Sequence, residues 1–180
     1  MVDINFLHEQ DSLAPNAPQG EAAEPAYELI ELLFFAYRAF IGDGDRMLAR
    51  FGFGRAHHRA LHFISRHPGI TVAELLEILK ITKQSLGRVL RELVETGFVI
   101  QREGQNDRRQ RLLYLTDKGY KLAVEVATMQ SGRLSRALAD SGETRTSARR
   151  LFAGIIDPEV RRDVERLIAR GDKNRRERKK

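Results

Sequence analysis

The chain has 180 residues, of which 42% are hydrophobic and 31% are charged, a balance typical of one globular domain with a hydrophobic core. It contains no cysteine, which excludes disulfides and thiolate metal sites. No apolar run approaches the roughly 20 residues that a membrane span needs, and the acidic, mixed N-terminus lacks a secretion signal. We therefore expect a cytoplasmic protein without membrane association.

The charge is distributed unevenly along the chain. Residues 1–37 contain seven acids and no Lys or Arg, so residues 38–180 carry all 31 bases against the remaining 18 acids, a net charge of +13. A basic body with a pI of 9.9 suits a polyanionic partner such as nucleic acid. Charge alone leaves open the alternative of a basic but merely solvated surface.

The first forty residues divide into two parts. Residues 1–24 are rich in Ala, Pro, Glu and Gln without any period, which predicts a flexible acidic leader. From Pro25 a helical period begins, and the Gly-Asp-Gly of residues 42–44 should end that helix. Its apolar residues cover more than one face, so burial between two subunits is expected. They are Leu29, Leu32, Leu33, Ala36, Tyr37 and Phe40.

Three short helices are predicted between residues 54 and 96. The first spans about 54–67 and stops at a Pro-Gly pair. Thr71 and Glu74 have the spacing of a capping box, which predicts a second helix over 72–79. Thr82 is the next candidate N-cap and begins a helix over 82–96, with Gly97 as its C-terminal stop.

The helix over 82–96 has two distinct faces. Leu86, Val89, Leu90 and Leu93 follow the spacing of a buried face. The opposite face is polar and basic and contains Lys83, Gln84, Ser85, Arg88 and Arg91. Two short helices joined by a tight turn, with such a face on the second, form the pattern of a helix-turn-helix.

A hairpin is predicted directly after this helix. Residues 98–102 and 111–115 are rich in β-branched, aromatic and aliphatic residues and read as two strands, joined by a loop longer than the usual two to five residues. The loop contains Asp107, Arg108 and Arg109. Such a hairpin is the wing of a winged helix, whose arginines suit a narrow minor groove. Asp107 is predicted to orient the guanidinium of Arg109 through a bidentate pair. An ordinary solvated loop is the alternative.

The order of these motifs resembles the MarR family of bacterial transcriptional regulators. The resemblance includes Asp107-Arg108-Arg109 in the wing and the Leu-Thr-Asp-Lys-Gly of residues 115–119, and residues 33–38, 54–59 and 81–86 are similar to its PetP-like branch. It implies a mainly α fold with a small β-hairpin and an obligate homodimer with interlaced first and last helices. It also implies a near-palindromic operator, with Arg109 in the minor groove. A small aromatic or phenolic effector is a further partner that the resemblance suggests, although the sequence locates no pocket for it.

The C-terminal third is predicted to be helical. Thr116 should cap a helix that runs to about Ala139 and bends at residues 131–132, and another helical region spans 145–170. The domain is thus predicted over 25–170, with its DNA-binding part at about 54–116. Residues 171–180 form a basic tail, predicted to be disordered and solvated, with an auxiliary contact to phosphate as the alternative.

The sequence gives little support for an enzymatic site or a metal site. His58 and His62 have a spacing that can bind one metal ion, but no acid or cysteine lies on that helix to complete a site. His57 is predicted to be a hydrogen-bonded core or interface residue. No nucleophile elbow, phosphate loop or paired-carboxylate pattern occurs. We therefore expect no enzyme, no cofactor and no bound metal.

The sequence predicts a dimeric regulator that binds double-stranded DNA. Gln84 and Arg88 should contact base edges, while Lys83, Ser85 and Arg91 should contact phosphates. The full set of predicted DNA-contacting residues is Thr82, Lys83, Gln84, Ser85, Arg88, Arg91, Asp107, Arg108 and Arg109. The alternative is a winged-helix module that binds protein instead of DNA. Such a module would be expected to lose charge from the helix face and the wing, and here both are basic.

Overall fold

The computed structural model describes residues 24–104, 107 and 109–178. The seven helices of these residues are α1 (Tyr27–Ala49), α2 (Arg55–Arg66), α3 (Val72–Leu79), α4 (Lys83–Glu95), α5 (Asp117–Ser141), α6 (Arg145–Ile155) and α7 (Pro158–Glu177). The strands are β1 (Ile70–Thr71), β2 (Val99–Glu103) and β3 (Arg111–Leu115). This arrangement confirms the predicted mainly α fold with a winged helix-turn-helix, and we call residues 55–115 the winged-helix unit.

The helix-turn-helix begins at the caps that the sequence predicts. At the start of α3 the amide of Glu74 donates to the hydroxyl of Thr71 at 3.1 Å, and the amide of Thr71 donates to the Glu74 carboxylate at 2.9 Å. At the start of α4 the amide of Ser85 donates to the hydroxyl of Thr82 at 3.1 Å. These bonds satisfy amides that a helix N-terminus otherwise leaves unpaired.

Three strands form one antiparallel sheet in the order β1-β3-β2. The wing strands pair from Val99 opposite Leu115 to Glu103 opposite Arg111. Strand β1 was not predicted, because two residues are too few for a periodic signal and they become a strand only by pairing with β3. Thr71 lies opposite Leu112, so the first turn of α3 is level with the end of the sheet next to the wing loop.

The core lies inside the winged-helix unit and continues beneath α1 and α5. Its buried side chains come from every element of that unit, and burial of a large apolar side chain contributes about 1.5–3 kcal/mol to folding. Phe98 lies at its centre, edge-on to Phe53 with ring centroids 5.1 Å apart. The largest fully buried residues are Phe98, Leu48, Leu61, Ile64, Leu75, Leu79, Leu86, Leu93, Leu113 and Val99.

Helix α1 is longer than predicted. It continues through residues 42–44 to Ala49, although a glycine inside a helix costs about 1 kcal/mol relative to alanine. Gly44 is buried, and a Cβ at this position would lie 3.0 Å from Cε1 of His58 and 3.2 Å from Val126. The prediction that residues 42–44 end the helix was therefore wrong, because the glycine allows α1 to pack closely against α2 and α5.

The C-terminal helices also differ from prediction. Helix α5 continues through residues 131–132 without interruption, and the region after it forms two helices separated before Pro158. Proline suits the first turn of α7, where its missing N–H leaves no bond unmade. Helix α7 runs on to Glu177, so the prediction of a disordered tail was wrong for residues 171–177. No helix among the described residues has the length and hydropathy to cross a membrane. The predicted leader, except for Glu24, lies outside the described residues.

Candidate nucleic-acid interface

Helix α4 presents the predicted polar face to solvent. Leu86, Val89, Leu90 and Leu93 are buried, which fixes the rotation of the helix about its axis. As a result Thr82, Lys83, Gln84, Arg88 and Arg91 are exposed, and Ser85 is half-buried. The hydroxyl of Thr82 donates to Oγ of Ser85 at 2.9 Å, which leaves the hydroxyl proton of Ser85 available to an acceptor outside the protein.

Helix α2 holds α3 and α4 at their C-terminal ends. His57 forms a 2.8 Å hydrogen bond between its Nε2 and Oε2 of Glu92 on α4, and its Nδ1 accepts from the amide of Gly54 at 3.2 Å. The guanidinium of Arg59 donates to the carbonyl of Leu79 at the end of α3. The prediction that His57 is a hydrogen-bonded core residue is confirmed. Its partner Glu92 was missed, since the two are far apart in sequence.

The two strands of the wing are joined by contacts where the loop begins, and the described charged residues of the loop are exposed. An ion pair between Arg111 and Glu103 at 2.8 Å joins the strands where the loop begins, and the amide of Gly104 donates to the carbonyl of Gln110 at 3.0 Å. Asp107 and Arg109 follow these contacts in the loop and are exposed. The described charged residues of the loop are therefore open to solvent.

Asp107 contacts Arg109 differently from the prediction. Its Oδ1 accepts from the backbone amide of Arg109 at 2.9 Å, instead of pairing with the guanidinium. An aspartate that binds the amide two residues ahead forms an Asx turn, so it shapes the loop and leaves the arginine side chain exposed. Arg108, also predicted to contact DNA, lies outside the described residues.

The start of α5 anchors the base of the wing. The hydroxyl of Thr116 donates to the carbonyl of Gly97 at 2.7 Å and accepts from the amide of Gly119 at 3.0 Å. Nζ of Lys118 donates to the carbonyl of Thr96, the C-cap of α4, at 2.9 Å. Residues 115–119 were predicted to start a helix and to carry part of the MarR resemblance. Their side chains also fix the wing and the end of α4 against α5.

The histidines of α2 do not form a metal site in the described part of the chain. No group of three or more His, Cys, Asp or Glu side chains lies close enough together there to bind an ion. His58 contacts the α1 backbone at Gly44, and burial lowers its pKa below the usual value. A neutral imidazole packed between helices accounts for this residue.

The family follows from comparison with known proteins. Residues 51–110, from just before α2 into the wing loop, match the sequence profile of the MarR family. The HTH-type transcriptional regulator PetP of Rhodobacter capsulatus is 43% identical over 157 residues, which is 84% of this chain and 95% of PetP. The chain belongs to the MarR family. It is thus a helix-turn-helix transcriptional regulator, as the sequence predicted.

Solved structures of MarR-type regulators share this fold. NadR, in complex with 4-hydroxyphenylacetate, aligns with a TM-score of 0.59 at 21% identity, over 75% of this chain and 92% of NadR. A MepR mutant of S. aureus bound to an oligodeoxyribonucleotide aligns with a TM-score of 0.51 at 19% identity, over 73% of this chain and 94% of MepR. At these identities the likeness establishes the winged-helix architecture of the MarR-family chain.

Proposed function

We propose that this MarR-family regulator binds a pseudo-palindromic DNA operator as a homodimer. The observation that carries the proposal is the exposed polar face of α4, with three bases and a glutamine, beside a wing that ends in an exposed arginine. A helix with such a face fits the major groove while the wing reaches an adjacent minor groove. The DNA-bound MepR structure has the same architecture.

The residues divide between base and phosphate contacts. Gln84 and Arg88 are exposed and have the side chains that pair with adenine and guanine edges. Lys83, Ser85 and Arg91 would contact phosphates, with Thr82 next to them at the helix N-terminus. Arg109, together with Arg108, would enter the minor groove. Asp107 would act indirectly, through the turn that it forms with the amide of Arg109.

The dimer is inferred from apolar surface that one chain leaves exposed. The first three turns of α1 are apolar but unburied: Phe34 is 69% exposed and Leu29 66%. Helices α5, α6 and α7 surround an open cavity of about 850 Å³, lined by apolar residues such as Leu134, Leu151 and Phe152. Exposed apolar surface of this extent marks an interaction site. A second copy, with its α1 placed against this cavity, would cover both surfaces.

DNA binding is tested with two arginine variants on α4. We expect the wild-type protein to select a two-part operator from a random duplex pool, with half-sites about 10 base pairs apart. Arg88→Ala should weaken operator binding by about 1–3 kcal/mol and relax the preference at particular bases. Arg91→Ala should weaken all sequences alike and reduce the salt dependence. If the wild-type protein binds no duplex, the result would instead support the alternative function, a winged-helix module that binds protein.

The wing is tested by separating charge from loop shape. Arg109→Ala should weaken binding without loss of fold, because an exposed loop tip contributes little stability. Asp107→Asn keeps an oxygen that can accept from the amide of Arg109 and removes a charge that phosphate repels, so binding should be unchanged or tighter. Asp107→Ala loses the turn and should bind more weakly than Asp107→Asn. Equal affinities of the two Asp107 variants would refute a role for the turn.

The assembly is tested by sedimentation. We expect a dimer at micromolar concentration, and Phe34→Asp should dissociate it because a charge would be buried in the interface. A folded wild-type monomer at that concentration would contradict the dimer.

A small-molecule effector, which the family resemblance suggests, stays a prediction. NadR was solved with 4-hydroxyphenylacetate, so this compound is a suitable first probe. A concentration-dependent rise in melting temperature together with weaker operator binding would support an effector response.

A further inference from the structure

The last two turns of α7 dock on the winged-helix unit. The guanidinium of Arg66, at the end of α2, donates to Asp172 at 2.6 Å. The side-chain amide of Asn174 donates to the carbonyl of Arg66 at 3.0 Å. Gly171 is buried beneath the same guanidinium, and a Cβ there would lie 2.7 Å from it. This segment is therefore ordered by specific contacts, although its sequence alone predicts disorder.

A second set of contacts ties α7 to the start of α3. Arg170 donates to Nδ1 of His67 at 3.3 Å and pairs with the carboxylate of Glu74 at 3.3 Å. Glu74 belongs to the capping box of α3, and Thr71 of that box lies opposite Leu112, next to the wing loop. Helix α7 thus reaches the unit on the side where the wing loop and the α3 N-terminus lie. The first helix of a helix-turn-helix, here α3, crosses the DNA backbone.

Beyond Arg170, docking uses the side chains of Asp172 and Asn174 and leaves the other bases of the segment exposed. Asp172 is occupied by Arg66, and Asn174 is directed toward the end of α2. Lys173, Arg175 and Arg176 are exposed on the remaining surface of the helix. Arg178 is exposed too, with its guanidinium over the ring of Tyr120 at 4.9 Å. Residues 173–178 thus carry four bases and one acid, close together at the end of α7.

We propose that the bases of residues 173–178 form a second contact with the phosphate backbone, beside the DNA segment that α4 and the wing bind. Like charges held within six residues at the end of α7 repel each other. A polyanion opposite them relieves the repulsion, and counterions released from DNA make the contact favourable. The contact rests on the DNA binding proposed above and adds affinity without sequence preference.

A charge-matched pair of triple variants tests the proposal. The test variant is Lys173→Gln, Arg175→Gln and Arg176→Gln. The control is Arg136→Gln, Arg150→Gln and Arg162→Gln, which removes the same charge from exposed arginines of α5, α6 and the first turns of α7. Both are compared with wild type on one non-specific duplex, after sedimentation and circular dichroism have verified assembly and fold.

The readout is the slope of log affinity against log salt. Each phosphate contact contributes about 0.9 to this slope, so three contacts per protomer correspond to a decrease of about 5 for a dimer. We expect the test variant to lower the slope by at least about 2 more than the control. Equal slopes for the two variants would overturn the proposal. If the wild type itself fails to bind DNA, the proposed function fails as well, which is a different result.

A tethered cleavage reagent locates the segment directly. The chain has no cysteine, so Arg176→Cys provides a unique attachment point for an iron chelate that cuts nearby DNA backbone. Arg162→Cys, near the start of the same helix, is the matched control. We expect cuts on the selected operator from position 176 and none from position 162. Absence of cuts from position 176, with binding intact, would refute the contact.

Discussion

Two glycines of α5 should respond in opposite ways to the same substitution. Gly119 lies in the first turn of this helix, and Gly132 lies in its middle. A Cβ at position 119 would lie 2.1 Å from the carbonyl oxygen of Phe98, closer than the 3.0 Å below which real Cβ atoms essentially never approach. A Cβ at position 132 would meet only the end of the Arg136 side chain, at an ordinary 3.6 Å.

The magnitudes follow from these distances. Gly119→Ala must separate the start of α5 from Phe98 by about 0.9 Å, the difference between 3.0 and 2.1 Å. The same carbonyl accepts from the amide of Thr116 at 3.1 Å, so the shift also weakens a hydrogen bond. Overpacking costs about 1–3 kcal/mol and the bond about 1 kcal/mol, which gives a loss of about 3 kcal/mol. Gly132→Ala should instead add about 0.5–1 kcal/mol, because alanine loses less backbone entropy in a helix.

Urea unfolding at one fixed protein concentration measures both effects, since stability of a dimer depends on concentration. We expect the two variants to differ by about 4 kcal/mol, with wild type between them. Gly119→Ala should also bind DNA less tightly, because the base of the wing moves. Equal stability of the two variants would refute the close approach of α5 to Phe98.

Two further predictions concern the cap of α3 and the pH dependence of stability. Thr71→Ala should lower the free energy of unfolding by about 1 kcal/mol. Thr71→Ser retains the hydroxyl that caps the helix and should leave this free energy unchanged. Equal losses in the two variants would exclude the cap as the cause. Burial, then the nearby Arg170, lowers the pKa of His67 from 6.5 to about 4, so the folded form is neutral where the unfolded chain takes up a proton. The contribution of His67 to the free energy of unfolding is therefore largest above pH 6.5, decreases as the pH falls toward 4 and then levels off. The total loss of stability is about 1–3 kcal/mol. His67→Gln, which keeps an acceptor for Arg170, should make urea-measured stability less steep over that range, and an unchanged slope would contradict the assignment.

Local signals were sufficient for the helix-turn-helix. The caps at Thr71, Thr82 and Thr116 join groups only three residues apart, and the buried face of α4 repeats every three to four residues. Both kinds of signal lie within a single helix, so the sequence alone predicted the boundaries of α3 and α4 and the residues that α4 exposes. The wing strands were predicted from their own β-branched, aromatic and aliphatic residues, which is also a local signal. These elements also contain most of the predicted DNA-contacting residues.

Only the tertiary structure decided the features that depend on distant partners. Helix α1 passes through Gly44 because His58 and Val126 pack against it, and β1 exists because β3 pairs with it. The end of α7 is helical because Asp172 meets Arg66, 106 residues away in sequence. A local pattern contains no information about such partners, while their burial and ion pairs outweigh propensities of about 1 kcal/mol per residue. For this reason the basic segment after residue 170 looked disordered in sequence and is a docked helix in the fold.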